Sequence, residues 1–227
     1  SLLDTPPRSG RYVYLVRAYN SKGASTWALD VIDHPDSVSV PPEDPTGLAG
    51  TSAGHTVTLG WTDVSTSENY EEVMRARFDP ESQTWGEWTS WVVGSDVTSF
   101  VDTSVPYGQY AYLVRAVNPR GPSNWAVTVV GVSSGSPPAA PTDLVATTFP
   151  NKTVELTWTD NATDEWGYEL VRARWDGSAW TDWTSITMAP DSRGRTMNPP
   201  SGQYAYLVRS YNGDGGSAQV VTTSVVP

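Results

Sequence analysis

The sequence predicts an all-β chain of tandem antiparallel β-sandwiches, and three observations carry that expectation. Turn formers are plentiful, with 19 Gly and 18 Pro spread along the whole chain rather than clustered. Short runs alternate apolar and polar residues at period two between turn clusters, as strands with one buried face require. The third observation is a block of sequence that occurs three times at a spacing the size of a domain.

The repeated block is Gly10-Arg-Tyr-Val-Tyr-Leu-Val-Arg-Ala-Tyr-Asn20. It returns as Gly108-Gln-Tyr-Ala-Tyr-Leu-Val-Arg-Ala-Val-Asn118 and as Gly202-Gln-Tyr-Ala-Tyr-Leu-Val-Arg-Ser-Tyr-Asn212. Tyr12 and Tyr110 are 98 residues apart, and Tyr110 and Tyr204 are 94 apart. Thr56-Val-Thr-Leu-Gly-Trp-Thr-Asp63 returns 97 residues later as Thr153-Val-Glu-Leu-Thr-Trp-Thr-Asp160, and Arg75-Ala-Arg77 returns at the same offset as Arg172-Ala-Arg174. Within these blocks Val57, Leu59 and Trp61 point one way. Tyr110, Tyr112, Val114 and Ala116 share another apolar face. Turns such as Asn118-Pro-Arg-Gly-Pro122 and Asn212-Gly-Asp-Gly-Gly216 bound the strands. About seven short strands per unit describe a sandwich rather than a solenoid.

These motifs resemble the fibronectin type III family of immunoglobulin-like sandwiches, in its bacterial-type tandem form. Trp61 and Trp158 look like the core tryptophan of that family's second strand. Tyr12, Tyr110 and Tyr204 match its tyrosine corner on the sixth strand. Pro45-Thr-Gly-Leu48 and Pro141-Thr-Asp-Leu144 resemble its proline-led first strand. On this basis complete modules are expected at 41–132 and 137–227, with the proline-bearing connector Ser133–Ala140 as a semi-rigid spacer and a similar join from His34 to Glu43. Residues 1–33 match only the end of a module. A two-strand remnant cannot bury the face of Tyr12, Tyr14 and Val16 alone. Two readings stay open: an excerpt of a longer protein, or a hairpin donated to a neighbour's sheet to build a fibre. A last module that lacks no strand weighs against the second.

Composition removes several function classes. A net charge of −11 disfavours nucleic acid, whose phosphates need Lys and Arg to displace their counterions. The absence of Cys excludes disulfides, thiolate metal sites and cysteine nucleophiles. No run of eighteen apolar residues is present, so no membrane insertion is expected. The two histidines, His34 and His55, have no repeated Ser or Asp partner, and there is no Gly-rich phosphate loop. No enzyme activity and no cofactor are expected.

Candidate contact residues are the repeated pairs Trp85, Trp88 and Trp180, Trp183, placed after the third strand near a sheet edge. Exposed, they would stack on sugar rings; packed, they would staple the edge strand or lie against Arg. Trp27 and Trp125 occupy equivalent last-strand positions where the third unit has Gln219. Arg75, Arg77, Arg172 and Arg174 form a ladder on one strand, beside Arg115 and Arg209 on the next, with Glu72 and Glu169 within reach on what reads as a solvated face. Leu113, Leu207, Met74 and Val171 make that face more apolar than a free surface needs, which points to a partner or a neighbouring module. Asp160-Asn-Ala-Thr-Asp-Glu165 offers oxygen ligands of the kind calcium takes, and Asp63–Glu68 is a poorer counterpart. Neither has calcium-loop spacing, Asx turns explain both, and no metal is assigned. Asn151-Lys-Thr153 and Asn161-Ala-Thr163 are formal glycosylation sequons.

The resemblance implies a non-catalytic extracellular array, serving as spacer, adhesive arm or structural fibre of a longer surface, secreted or virion protein. Its expected partners are other modules of the same or neighbouring chains, a polysaccharide or a cell-surface protein. Two alternatives are carbohydrate-binding accessory modules beside a secreted polysaccharide hydrolase, and a subunit of a filament that assembles through the N-terminal hairpin.

Overall fold

A computed structural model describes residues 10–20, 23–34 and 40–227. Every regular element among them is a strand, and no helix is present that is long and apolar enough to cross a membrane. The expected last bit of a fifth strand before Gly10, and most of the join between His34 and Glu43, lie outside the described residues.

The N-terminal unit consists of β1 (Gly10–Val16), β2 (Tyr19–Asn20), β3 (Gly23–Ala24) and β4 (Ala28–His34). β1 pairs antiparallel with β4 from Gly10↔His34 to Val16↔Ala28, and β2 pairs with β3. Val13, Leu15, Val16, Leu29, Val31 and Ile32 are all exposed, because a two-stranded ribbon has no second layer to cover them.

The first complete sandwich contains β5 (Thr46–Ala53), β6 (Thr56–Thr62), β7 (Tyr70–Asp79), β8 (Thr84–Gly94), β9 (Ser99–Asp102), β10 (Gly108–Asn118), β11 (Gly121–Pro122) and β12 (Ala126–Val132). One sheet has the order β5-β6-β9. The other runs β8-β7-β10 and continues to β12, with β11 also on β10. The second sandwich repeats this with β13 (Thr142–Thr148), β14 (Val154–Thr159), β15 (Gly167–Trp175), β16 (Trp180–Met188), β17 (Gly194–Met197), β18 (Gly202–Asn212), β19 (Gly215–Gly216) and β20 (Val220–Val226). Its sheets are β13-β14-β17 and β16-β15-β18-β20. All pairings are antiparallel, and a three-stranded sheet facing a four-stranded one is the fibronectin type III-like arrangement.

Period-two patterning places the cores. Val57, Leu59 and Trp61 from β6 meet Val73 from β7 and Tyr110, Tyr112 and Val114 from β10. Val154, Leu156 and Trp158 meet Tyr168, Leu170, Tyr204, Tyr206 and Val208 in the same way. The tyrosine corner is made at Tyr204, whose hydroxyl donates to the Pro200 carbonyl at 2.9 Å. The Tyr110 hydroxyl is buried without a partner. The hairpin after each sixth strand has a common device. Ser25, Ser123 and Ser217 accept, through their hydroxyls, the backbone N–H of Ala18, Ala116 and Ser210 at 3.0, 3.0 and 3.2 Å. The turns that follow need φ of 135°, 132° and 138°, which Gly23, Gly121 and Gly215 supply without steric cost.

Candidate functional site: the module joint and the edge tryptophans

The two sandwiches are joined through a side chain that the sequence reading passed over. Trp166 occupies the loop between β14 and β15, at the position where the first module has Asn69. Its indole packs closely against two glycines. An added Cβ at Gly131 would stand 2.6 Å from the ring, and one at Gly213 would stand 2.8 Å from it. Both approaches therefore require glycine. Trp166 Nε1 donates to the Val132 carbonyl at 2.9 Å, and its backbone N–H donates to Tyr211 O at 2.7 Å. The tryptophan thus ties the last strand of one module to a loop of the next.

A second set of contacts forms around the β7–β8 turn. Buried Pro80 lies against Gly167, where a Cβ would meet its Cγ at 3.1 Å. The Thr187 hydroxyl donates to Pro80 O at 2.6 Å, and Arg195 pairs with Glu81 at 2.7 Å. The exposed ion pair adds at most about 1 kcal/mol, so the Trp166 and Pro80 contacts dominate. A cleft of about 360 Å³ opens beside them between Phe78, Pro80 and Glu87 of one module and Ala189 and Pro190 of the other.

The connector is strapped down as well. Asn212 Nδ2 donates to Ser136 O at 2.8 Å, Ser210 Oγ to Ala139 O at 2.7 Å, and Gly135 N to Asp214 Oδ2 at 2.9 Å. Ser134 Oγ is hydrogen-bonded to Asp164. Asn118, the repeat counterpart of Asn212, likewise donates to Val40 O at 3.1 Å. Semi-rigidity was expected from proline alone; side-chain hydrogen bonds from the following module also fix the connector.

The candidate tryptophans divide into two kinds. Strand β8 is the edge of its sheet, as is β16, and each carries a bulge opposite the Arg-Ala-Arg motif. By register Glu87 and Trp88 together oppose Ala76, and Asp182 and Trp183 together oppose Ala173. Glu87 and Asp182 take the left-handed backbone this requires, at φ 53° and 52°. A bulge re-aims its side chains, and Trp88 and Trp183 are 52% and 56% exposed. Trp85 instead leans on Phe78 at 5.2 Å between ring centroids, and Trp180 meets Trp175 edge-on at 5.3 Å. Trp88 and Trp183 present the freer faces, while Trp85, still 36% exposed, and Trp180 also brace the edge through these ring contacts.

Leu113 and Leu207 are half-buried on the outer face, flanked by Met74 and Val127 in one module and by Val171 and Val221 in the other. Arg115–Glu72 and Arg209–Glu169 ion pairs lie on the same face at 2.6 and 2.7 Å. Trp125 lies under Arg115 at 4.1 Å, as Trp27 lies under Arg17 at 4.5 Å. The ladder itself is not one solvated face. Arg75 stands beside Tyr112 in the register and turns inward to Asp102, 2.7 Å away.

The acidic loops converge with a partner loop that sequence spacing did not bring to them. Asp63 and Glu68 meet Asp96, and Asp160 and Glu165 meet Asp191. Burial, then Glu68, pushes the Asp63 carboxyl up. Burial likewise raises Glu165. The Tyr168 hydroxyl bonds to Asp160 and is pushed above the usual tyrosine range by burial and by that carboxylate. The His55 ring is occupied at a module corner, with Nδ1 2.8 Å from Val105 O and the ring 4.4 Å from Tyr107.

No family model matches the chain, and no curated protein sequence matches it. Among solved structures it is similar to the FN1–FN3 domains of chicken CNTN1, with 16% identity over 94% of this chain and 76% of that one and a TM-score of 0.41. It is also similar to a two fibronectin type III domain segment from chicken tenascin, with 15% identity over 81% of this chain and 100% of that one and a TM-score of 0.39. The strand order of each module, rather than these partial superpositions, makes the fold fibronectin type III-like.

Proposed function

We propose that the chain is a non-catalytic arm: a stiff spacer within a longer surface, secreted or virion protein, which holds successive sandwiches at a fixed angle. The observation that carries this reading is the Trp166 joint. A flexible tether would need no glycine-seated tryptophan, no hydrogen bond across the modules and no strapped connector. An array whose joints are packed transmits force and sets distance, which suits a spacer or adhesive arm better than freely jointed beads.

The reading is tested by small-angle scattering on the chain. The wild type should fit one fixed arrangement of residues 40–227. Trp166→Ala should weaken docking by about 2 kcal/mol, the cost of losing a half-buried aromatic and its hydrogen bond, and broaden the distribution of module angles. A wild-type profile that needs a broad ensemble would sink the reading.

A second reading, polysaccharide binding, is favoured by the two bulge tryptophans exposed at the same place in both modules. A sugar ring stacks its C–H face on such an indole. Retention on an insoluble polysaccharide should be abolished in Trp88→Ala/Trp183→Ala, which leaves both cores untouched. If the wild type is not retained on any polysaccharide tried, this second reading fails.

A further inference from the structure

The pole of the first module gathers four carboxylates that make no ion pair among the described residues. Asp63 and Glu68 come from the β6–β7 loop, and Asp96 comes from the β8–β9 loop. One carboxylate oxygen of each lies within 4.8 Å of the others. Glu71, on the core-facing side of β7, is the fourth. It is wholly buried, and neither of its oxygens meets a hydrogen-bond donor. The charges acting on it are those of Asp63 and Glu68. One oxygen of Glu68 is also buried without a partner. A buried carboxylate without donors, close enough to Asp63 and Glu68 to be repelled by them, is not a packing solution that a sandwich core would otherwise hold.

From this geometry we infer a calcium site in the first module, with Asp63, Glu68 and Asp96 as its protein ligands and the buried Glu71 as a neighbouring charge that favours the cation. Calcium–oxygen distances of about 2.4 Å allow ligands up to about 4.8 Å apart, and the oxygens of Asp63, Glu68 and Asp96 all lie within that reach of one another. Three carboxylates from two loops suit the adaptable, oxygen-rich shell of calcium better than the tight octahedron of magnesium. The second module repeats the frame with a weaker set. Asp160, Glu165 and Asp191 converge there, but Tyr168 stands where Glu71 would be, and its hydroxyl already occupies Asp160. Asp191 N also occupies one oxygen of Glu165. The first module should therefore bind first and more tightly. A bound ion would cross-link the two loops at the pole that receives the strand-linking segment, since Asn118 holds both Ser67 O and Val40 O there.

The test is titration calorimetry of the chelator-stripped chain with calcium chloride, together with thermal unfolding. The wild type should bind saturably, with a dissociation constant on the order of 10⁻⁴ M or tighter, and the first module should melt higher in calcium. Asp96→Asn, in its exposed loop, should weaken the tighter step about tenfold or more, and Glu71→Gln, which keeps the side-chain shape and removes the neighbouring charge, should weaken it as well. Glu165→Gln should leave that step unchanged. The site is refuted if millimolar calcium produces neither heat nor a thermal shift. It is equally refuted if magnesium acts as strongly as calcium, if both first-module variants bind like the wild type, or if Glu165→Gln removes the tighter step.

Discussion

Asp102→Ala should destabilise the first module by about 3–5 kcal/mol, the cost of leaving a buried charge without its partner. Asp102 is buried at the end of β9, where its Oδ2 accepts from Arg75 Nη1 at 2.7 Å and from the Tyr112 hydroxyl at 2.9 Å. Arg75 in turn lies over the rings of Tyr110 and Trp91, at 5.3 and 5.6 Å. Removing the carboxylate strands a guanidinium and a phenol together among aromatic side chains. In the second module the register places Met197 where Asp102 stands, and Arg172 keeps only a ring contact with Tyr204 at 5.6 Å. Calorimetry should therefore show one of the two modules losing roughly 15 °C or more while the other melts unchanged. A double variant, Arg75→Met with Asp102→Met, should recover most of the loss, because an apolar pair replaces an ion pair with little net cost. A shift in the single variant worth under about 1 kcal/mol would mean that water replaces Asp102 on Arg75.

Raising the pH should weaken the first module in chelator-containing buffer. Burial, followed by the charges of Asp63 and Glu68, pushes the Glu71 carboxyl up from 4.5 to about 7. Between those values the folded state holds a proton that the unfolded chain has released. Stability therefore falls as pH rises through this window, and above about 7 the full penalty applies. A shift of that size corresponds to about 3 kcal/mol. Burial raises Glu165 in the second module as well, so its stability should slope the same way. Glu71→Gln, a permanent mimic of the protonated form, should flatten the first module's profile between pH 5 and 7 and stabilise it at pH 8. Urea midpoints measured across this range check the prediction. An unchanged slope in the variant would assign the pH dependence to other groups.

The contrast between Glu71 and Glu72 shows how far the sequence can be read. Both lie on β7, and outward parity places Glu72 within reach of the Arg ladder, where the structure pairs it with Arg115. Glu71 has the parity of Val73 and therefore of the core, a signal that was present but is contradicted by its chemistry. Only the loops folding over it supply the reason, since Asp96 reaches the cluster from a turn remote in sequence. Trp166 has the same character. A large apolar residue in the polar loop Thr163-Asp-Glu-Trp166 is a visible anomaly beside Asn69, yet its seat consists of two glycines, Gly131 and Gly213, in other parts of the chain. The bulges were likewise invisible to period-two counting, because one extra residue leaves composition unchanged but turns Trp88 and Trp183 outward while Trp85 and Trp180 keep ring contacts with Phe78 and Trp175.

The sequence by itself determined that the chain is all β, that it repeats with a domain-sized period, and which alternating residues line each core. Those properties follow from local chemistry: side-chain parity along a strand, turn formers between strands, and burial of whichever face is apolar. The tertiary structure alone decided that Arg75 turns inward to Asp102, that Trp166 locks one sandwich to the next, and that Asp63, Glu68 and Asp96 converge at one pole. Each of these depends on distances between segments far apart in the chain. Such distances are set by how two twisted sheets and their loops pack, which no count along a single strand contains.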